Sequence, residues 1–178
     1  MLSPSLDRIT LRQPRPADAE AWVSFLAREQ ARTYADLVPE SFEHAAAAEA
    51  NVEDSRATFA DPGDHNLLLA EHGGVLVGVA ATVPAPADWE VALGFVPAPA
   101  DRELARLYVA PEWHGTGLAA TLFDRVIDDR AHYLWLIDAN ARAGRFYERR
   151  GFRHLPEQFT AGAHWGGIGM HRMLREAR

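Results

Sequence analysis

Two glycines divide the most constraining stretch of this chain. Ahead of them, Glu103 to Val109 reads as a β-strand, and Pro111 breaks it. Behind them, Leu118, Leu122, Phe123, Val126 and Ile127 recur at helical spacing and form one apolar stripe. Gly115-Thr116-Gly117 sits at the join. A strand, a tight turn and a helix start must therefore follow one another, so the fold has to bring sheet and helix together. Glycines there let the backbone approach a ligand and aim free N–H groups at it. The helix dipole adds about 0.3–1 kcal/mol for a bound anion. A phosphate-bearing ligand is the physical expectation, and a plain tight turn before a helix is the alternative.

The remaining elements can be placed around this unit. Ile9 to Arg12 is a short first strand, and Asp18 is a good N-cap for a helix carrying Ala21, Trp22, Phe25 and Leu26. Residues 31–64 are helix-prone, alanine-rich and acidic, and Asp61-Pro62-Gly63-Asp64 closes them with a turn. Asn66 to Glu71 and Val75 to Val83 flank His72-Gly73-Gly74 as a hairpin, and the second strand is apolar enough to be central. Pro84 to Ala100 is rich in proline and alanine. Its island Trp89 to Phe95 reads equally as strand or loop.

Further on, His132 to Ile137 is a buried strand. Asn140 caps a helix over Ala141 to Arg150, with Gly151 as its C′ residue. Phe152 to Leu155 and Ile168 to Leu174 close the chain as two strands. The order β-α-α-β-β-β-α-β-α-β-β predicts an α/β (α+β) fold: one mixed, mostly antiparallel central sheet with helices on both faces. With 178 residues, no repeat and no linker, residues 1–178 are expected to form one domain.

Composition removes several chemistries. The chain has no cysteine, and all 18 of its basic residues are arginine. Thiol nucleophiles, disulfides and thiolate metal sites are excluded, as are Schiff bases and a P-loop lysine. The eight histidines show no helical i, i+4 pair, so no metal site is expected. No apolar run reaches the length of roughly 18 residues that a membrane span needs. The expectation is a cytoplasmic protein without membrane or nucleic-acid partners, consistent with a net charge of −7. That charge is uneven. Residues 1–100 hold 6 arginines against 15 acids, a balance of −9, and residues 101–178 hold 12 against 10, a balance of +2. Either the halves face ligands of opposite sign, or the charges simply solvate the surface.

Two cofactors compete for the glycine turn. Gly115-Thr116-Gly117-Leu118-Ala119-Ala120 formally matches G-x-G-x-x-A, and Asp138 ends the next strand, which imitates a dinucleotide fingerprint and a nicotinamide-dependent oxidoreductase. Against it, Ala110 to His114 separate strand from turn, and half of the required sheet would be missing.

The second reading spans nearly the whole chain. Leu107-Tyr108-Val109-x-Pro111-Glu112-Trp113-His114-Gly115-Thr116-Gly117-Leu118-Ala119 resembles the acetyl-CoA-binding motif of the GNAT superfamily of N-acyltransferases. Of the family pattern Gln/Arg-x-x-Gly-x-Gly/Ala, His114, Gly117 and Ala119 hold the fixed places, with His114 departing from the usual residue. Asn140-x-x-Ala143-x-x-Phe146-Tyr147-x-x-x-Gly151-Phe152 is similar to the second family block.

The resemblance implies a GNAT-like fold and a set of roles. Backbone groups of Leu107, Tyr108 and Val109 would meet the pantetheine arm of acetyl-CoA, and amides from Gly115 through Thr116, Gly117 and Leu118 to Ala119 would hold its pyrophosphate. His114, Asn140, Ala143 and Tyr147 complete the cofactor set, with helix capping as a second role for Asn140. The arginines at 142–153 become candidate phosphate partners. Tyr147 stands where family members often place the acid that protonates the departing sulfur, and otherwise it packs beside Phe146. Glu103 matches a general-base glutamate, and otherwise it is a surface carboxylate pairing with Arg102 or Arg106.

Without cysteine, direct transfer in a ternary complex is favoured over a thiol-bound intermediate. The acceptor implied is a small-molecule amine or a peptide amine, and a homodimer is compatible with the family. Eight acids in residues 31–64 favour a cationic acceptor such as a polyamine, an aminoglycoside or a basic peptide terminus. A non-catalytic module that binds acetyl-CoA is the other functional class to weigh.

Overall fold

The computed structural model describes residues 5–178. Seven strands form one sheet in the order β1-β2-β3-β4-β5-β7-β6. They are β1 (Ile9–Arg12), β2 (Asn66–His72), β3 (Val75–Pro84), β4 (Arg102–Val109), β5 (His132–Ile137), β6 (Arg153–Thr160) and β7 (Gly169–Arg175). The sheet is mixed and mostly antiparallel, as expected, because only β4 and β5 run parallel. The helices are α1 (Ala19–Thr33), α2 (Phe42–Ala46), α3 (Glu49–Ala60), α4 (Asp88–Ala92), α5 (Leu118–Val126) and α6 (Ala141–Glu148).

Helix α5 buries Leu118, Leu122, Phe123 and Val126 against the sheet, about 1.5–3 kcal/mol for each such side chain. It can sit this close because β3 carries Gly78, where an added Cβ would stand 2.9 Å from Leu122 Cδ1. Helix α1 buries Trp22, Val23, Phe25 and Leu26, and Trp22 meets Phe59 of α3 edge-on at 5.3 Å. Asp18 precedes α1 but does not cap it through its side chain. Its carboxylate accepts instead from Arg12 Nη1 at 2.7 Å, which holds it below the usual carboxylate range, and from the Arg15 amide at 2.6 Å.

Three further outcomes differ from the sequence reading. The island at 89–95 is neither strand nor loop but the short helix α4, which ends in a tight turn. Strand β6 runs on to Thr160, past the expected end at Leu155, because it is largely solvent-facing and its apolar residues do not mark its length, whereas β7 keeps the expected length shifted by one residue. Helix α6 stops at Glu148, two residues short of Arg150.

Two features of β4 shape the site. Arg106 pairs with Ala81 and Leu104 with Thr82, so Ala105 is an extra residue and β4 bulges there. Strand β4 also pairs with β5 at one register position alone, Glu103 with Tyr133. Beyond it the two strands part. A second small core, around Tyr34, Ile137, Ala161 and Met170 with Trp165 beside them, ties the segment after α1 to β5 and the β6–β7 loop.

Candidate active site

The parting of β4 and β5 leaves a cleft. Its walls are Leu104, Ala105, Leu107 and Tyr108 from β4, and Leu134, Trp135 and Leu136 from β5. Asn140, Ala143 and Tyr147 enter from α6, and Tyr34 closes it from the end of α1. Ala110 donates its N–H to Val77 O of β3 at 2.9 Å. Strand alternation then turns the backbone groups of Val109 and Leu107 the other way, into the gap that β5 has left. A parallel partner is missing there, so an extended ligand can take its place by hydrogen bonding to β4.

At the far end of β4 the chain makes one 3₁₀ turn, Pro111–Trp113, and then the glycine turn. Gly115 and Gly117 have φ of +79° and +93°, conformations that a side chain would strain. Thr116 Oγ1 donates to Trp113 O at 2.7 Å and accepts from Leu118 N at 3.3 Å, which pins the turn. The amides of Gly115, Gly117, Ala119 and Ala120 have no acceptor among the described residues. Four unpaired N–H groups at the start of a nine-residue helix form a cradle suited to a phosphate.

His114 is built into the rim of this cradle. Its Nε2 lies 3.0 Å from Val109 O, and Arg142 Nη1 lies 3.1 Å from its Nδ1. A carbonyl only accepts, so Nε2 carries the proton and Nδ1 accepts from the guanidinium. The ring is therefore neutral and holds an exposed arginine of α6 beside the glycine turn. Arg142 stands out in its cluster. Arg150 stacks on Phe146 at 3.6 Å and Arg153 pairs with Glu176 at 3.0 Å, both directed elsewhere.

Asn140 does what a cap should, its Oδ1 accepting from Ala143 N at 3.1 Å. Its Nδ2 donates to Tyr34 Oη at 3.1 Å, so the same side chain ties α6 to the end of α1 across the cleft. Tyr147, half-buried, packs edge-on against Phe146 and Phe152 at 5.3 and 5.8 Å. Its hydroxyl has no hydrogen-bond partner among the described residues. Burial raises its pKa above the ordinary tyrosine value, with Tyr108 nearby adding to the rise, so it is held as a neutral donor at the cleft.

Glu103 overturns the reading of it as a surface carboxylate. It is 4% exposed and makes no ion pair with Arg102 or Arg106. Arg102 donates instead to Asp64 O and Thr82 Oγ1. With no donor among the described residues to stabilise its charge, burial pushes the Glu103 carboxyl up to about 7, with Arg106 opposing and Glu90 reinforcing the change. Register pairs it with Tyr133, at the one position where β4 and β5 meet, next to Leu104 of the cleft wall but not itself among the residues that line the cleft.

One component had escaped the sequence reading. Glu90 of α4 is fully buried and accepts from Tyr133 Oη at 2.8 and 2.7 Å, from Trp135 Nε1 at 3.0 Å and from Ala87 N at 2.7 Å. It clamps α4 onto β5 and orients the tryptophan of the cleft wall. The available signal was a glutamate three residues after the N-cap position Ala87, reaching back to that residue's amide. The eight acids of residues 31–64 lie elsewhere. None of them lines the cleft. Among the described residues no group of three His, Asp or Glu side chains forms a metal site, and no helix is long and apolar enough to cross a membrane.

Comparison with known proteins agrees with this geometry. Residues 25–152 match the model of the Acetyltransferase (GNAT) family. Uncharacterized N-acetyltransferases of Mycobacterium bovis and Mycobacterium tuberculosis are 33% identical, over 78% of this chain and 88% of theirs. Among solved structures, a PaiA N-acetyltransferase from Thermoplasma acidophilum in complex with coenzyme A superposes with a TM-score of 0.65 at 18% identity, over 94% of this chain and 98% of that one. YncA of Salmonella typhimurium, a putative acetyltransferase with its cofactor acetyl-CoA, gives 0.64 at 18% identity, over 94% and 93%. The dinucleotide reading falls with these matches, and the chain belongs to the GNAT family of acetyltransferases.

Proposed function

We propose that this acyltransferase moves an acetyl group from acetyl-CoA to a primary amine in one ternary complex. The observation that carries the proposal is the joining of two backbone surfaces: the parted edge of β4, where Leu107 and the Val109 N–H face the gap while His114 holds the Val109 carbonyl, and the free amides of Gly115, Gly117, Ala119 and Ala120. The first suits the amide-bearing pantetheine arm, and the second suits a pyrophosphate. Arg142, held by His114, adds a positive charge beside them. Tyr108, Thr116, Leu118, Asn140 and Ala143 shape the same channel.

The chemistry follows from where the polar groups stand. An alkylammonium has a pKa of about 10.4, so a proton must be removed before its nitrogen can attack. Glu103, poised at about 7 beside the cleft wall at Leu104, takes that proton directly or through water. The nitrogen then bonds to the thioester carbon and the carbon–sulfur bond breaks. A backbone N–H of β4 near Val109 serves as oxyanion donor. Tyr147 gives its hydroxyl proton to the sulfur and regains one that the nitrogen sheds on becoming an amide. The products are the acetamide, free CoA thiol and one proton returned to solvent. A cysteine-free chain has no thiol to carry the acetyl group between substrates, and it suits the reducing cytoplasm in which we place it.

The test is release of CoA thiol from acetyl-CoA in the presence of a panel of amines, with the acetylated product identified by mass. Amine-dependent release with equimolar product is expected. Tight acetyl-CoA binding with no turnover of any acceptor would instead make the protein a binding module, and failure to bind acetyl-CoA would sink the reading altogether.

A further inference from the structure

Exposed apolar side chains are not scattered over this molecule. Six large hydrophobic residues are exposed among those described, and four of them, Trp89, Val91, Leu93 and Val96, lie on α4 and the turn after it. A fifth, Leu37, lies in the segment after α1, where its carbonyl oxygen is 3.2 Å from a Cβ placed on Gly166 of the β6–β7 loop. Both segments border the second small core. Concentration of exposed apolar surface in one region marks a binding surface more than a solubility accident.

This region adjoins the cleft, on the side of Glu103. Helix α6 packs on Leu136 of β5, since a Cβ on Gly144 would sit 3.4 Å from Leu136 Cδ2. Alternation along β5 puts Tyr133 and Trp135 on the opposite face, where both donate to Glu90 of α4. Glu103 is in register with Tyr133 and so shares that face. Trp135 is wall to both spaces. It lines the cleft, and its ring centroid stands 5.4 Å from that of Trp89, 41% exposed on α4. Phe95 and Phe159 extend the same aromatic surface at 5.6 and 4.8 Å from Trp135.

Charge argues the same way. Every side chain lining the cleft is apolar, phenolic or amide, and Arg172, on the aromatic face, is already taken up by Trp135, Phe159 and Pro97 O. A polyamine or an aminoglycoside brings several cationic groups that would find no carboxylate lining the cleft: Glu103 is buried beside it, and Glu90 is buried and already taken up by Tyr133 and Trp135. A single amine on an apolar body matches what is there: one base, an aromatic wall, and an apolar lip.

Resting on the acetyl-transfer reading, we propose that the acceptor is a small primary amine borne on an aromatic or branched aliphatic body, which lies on Trp89 and Trp135 and turns its nitrogen towards Glu103. The bond changes are those already given, so this assignment concerns which amine is chosen.

Initial rates at fixed acetyl-CoA separate the alternatives, with phenylethylamine, tryptamine and isoamylamine compared against spermidine, kanamycin and a leucyl dipeptide amide. The expected result is a kcat/KM at least tenfold higher for the first three than for spermidine or kanamycin. Trp89→Ala should raise KM for phenylethylamine severalfold at unchanged kcat, while Trp89→Phe restores it. Preference for spermidine or kanamycin overturns the proposal, as does preference for the dipeptide over all small amines. So does a Trp89→Ala protein whose phenylethylamine KM is unchanged, or one whose oligomeric state changes instead, since the patch would then serve a second copy of the chain. If no amine is turned over, the acceptor assignment is wrong, and calorimetric binding of acetyl-CoA shows whether the cofactor reading survives it.

Discussion

Replacing Glu103 with glutamine should stabilise this protein and disable it at once. In the folded state the carboxyl is pushed from an ordinary 4.5 up to about 7, because it is buried without a donor. Below pH ~4.5 the group is neutral whether the chain is folded or not, and its burial adds no pH-dependent cost. As pH rises through about 7, the unfolded chain already holds a stable carboxylate while the folded one must ionise a buried group. Folding stability is therefore lost across that window, and the displacement corresponds to about 3 kcal/mol. Urea unfolding of the wild-type protein and of Glu103→Gln at about pH 4 and about pH 8.5, on either side of the window between the unfolded and folded values, reads this directly. The variant should gain about 2–3 kcal/mol on wild type at the higher pH and much less at the lower, while kcat falls by roughly 10²–10⁴-fold. Wild-type kcat/KM should decline as pH falls below about 7, as the base becomes protonated. Equal pH dependence of stability in the two proteins would refute the buried-carboxylate argument.

Three other outcomes follow from the site. Tyr147→Phe should lower kcat by at least about tenfold at unchanged acetyl-CoA affinity, since only the proton for sulfur is removed; an unchanged kcat takes Tyr147 out of the reaction. Arg142→Ala should weaken acetyl-CoA binding by about tenfold, equivalent to roughly 1.4 kcal/mol, in a salt-dependent way, and leave binding of S-acetylpantetheine unaltered. Calorimetry with both ligands checks it. Glu90→Ala strips acceptors from Tyr133 Oη and Trp135 Nε1, which at about 1–3 kcal/mol for each orphaned donor should cost at least roughly 2 kcal/mol in urea unfolding.

How much of this was legible in the sequence depends on where each feature gets its stability. The strand-turn-helix at 103–127 is local: two glycines at positive φ, a threonine hydroxyl and an apolar stripe settle it within one short segment. Asn140 was legible for the same reason, because a cap acts three residues away. Helix α4 was not. Its five residues lack the length for helical periodicity, and what holds them is Glu90 reaching Tyr133 and Trp135, more than forty residues further along. The burial of Glu103 escaped for a related reason. A glutamate between arginines looks solvent-facing, and only the register of β4 with β5, under α4, takes it out of water. The cleft itself is a tertiary object, made where two strands stop pairing, a place that propensity does not mark. The acids of residues 31–64 are many, but they do not line the cleft.

Two-substrate kinetics test the central claim most directly, because they ask whether acetyl-CoA and amine occupy the parted strands together. With phenylethylamine or the best acceptor in hand, initial thiol-release rates are measured over a matrix of both concentrations. Double-reciprocal lines that intersect, with no thiol burst before amine is added, are the predicted result. Parallel lines, or stoichiometric thiol release from acetyl-CoA by the protein alone, would contradict direct transfer between two ligands held in one cleft.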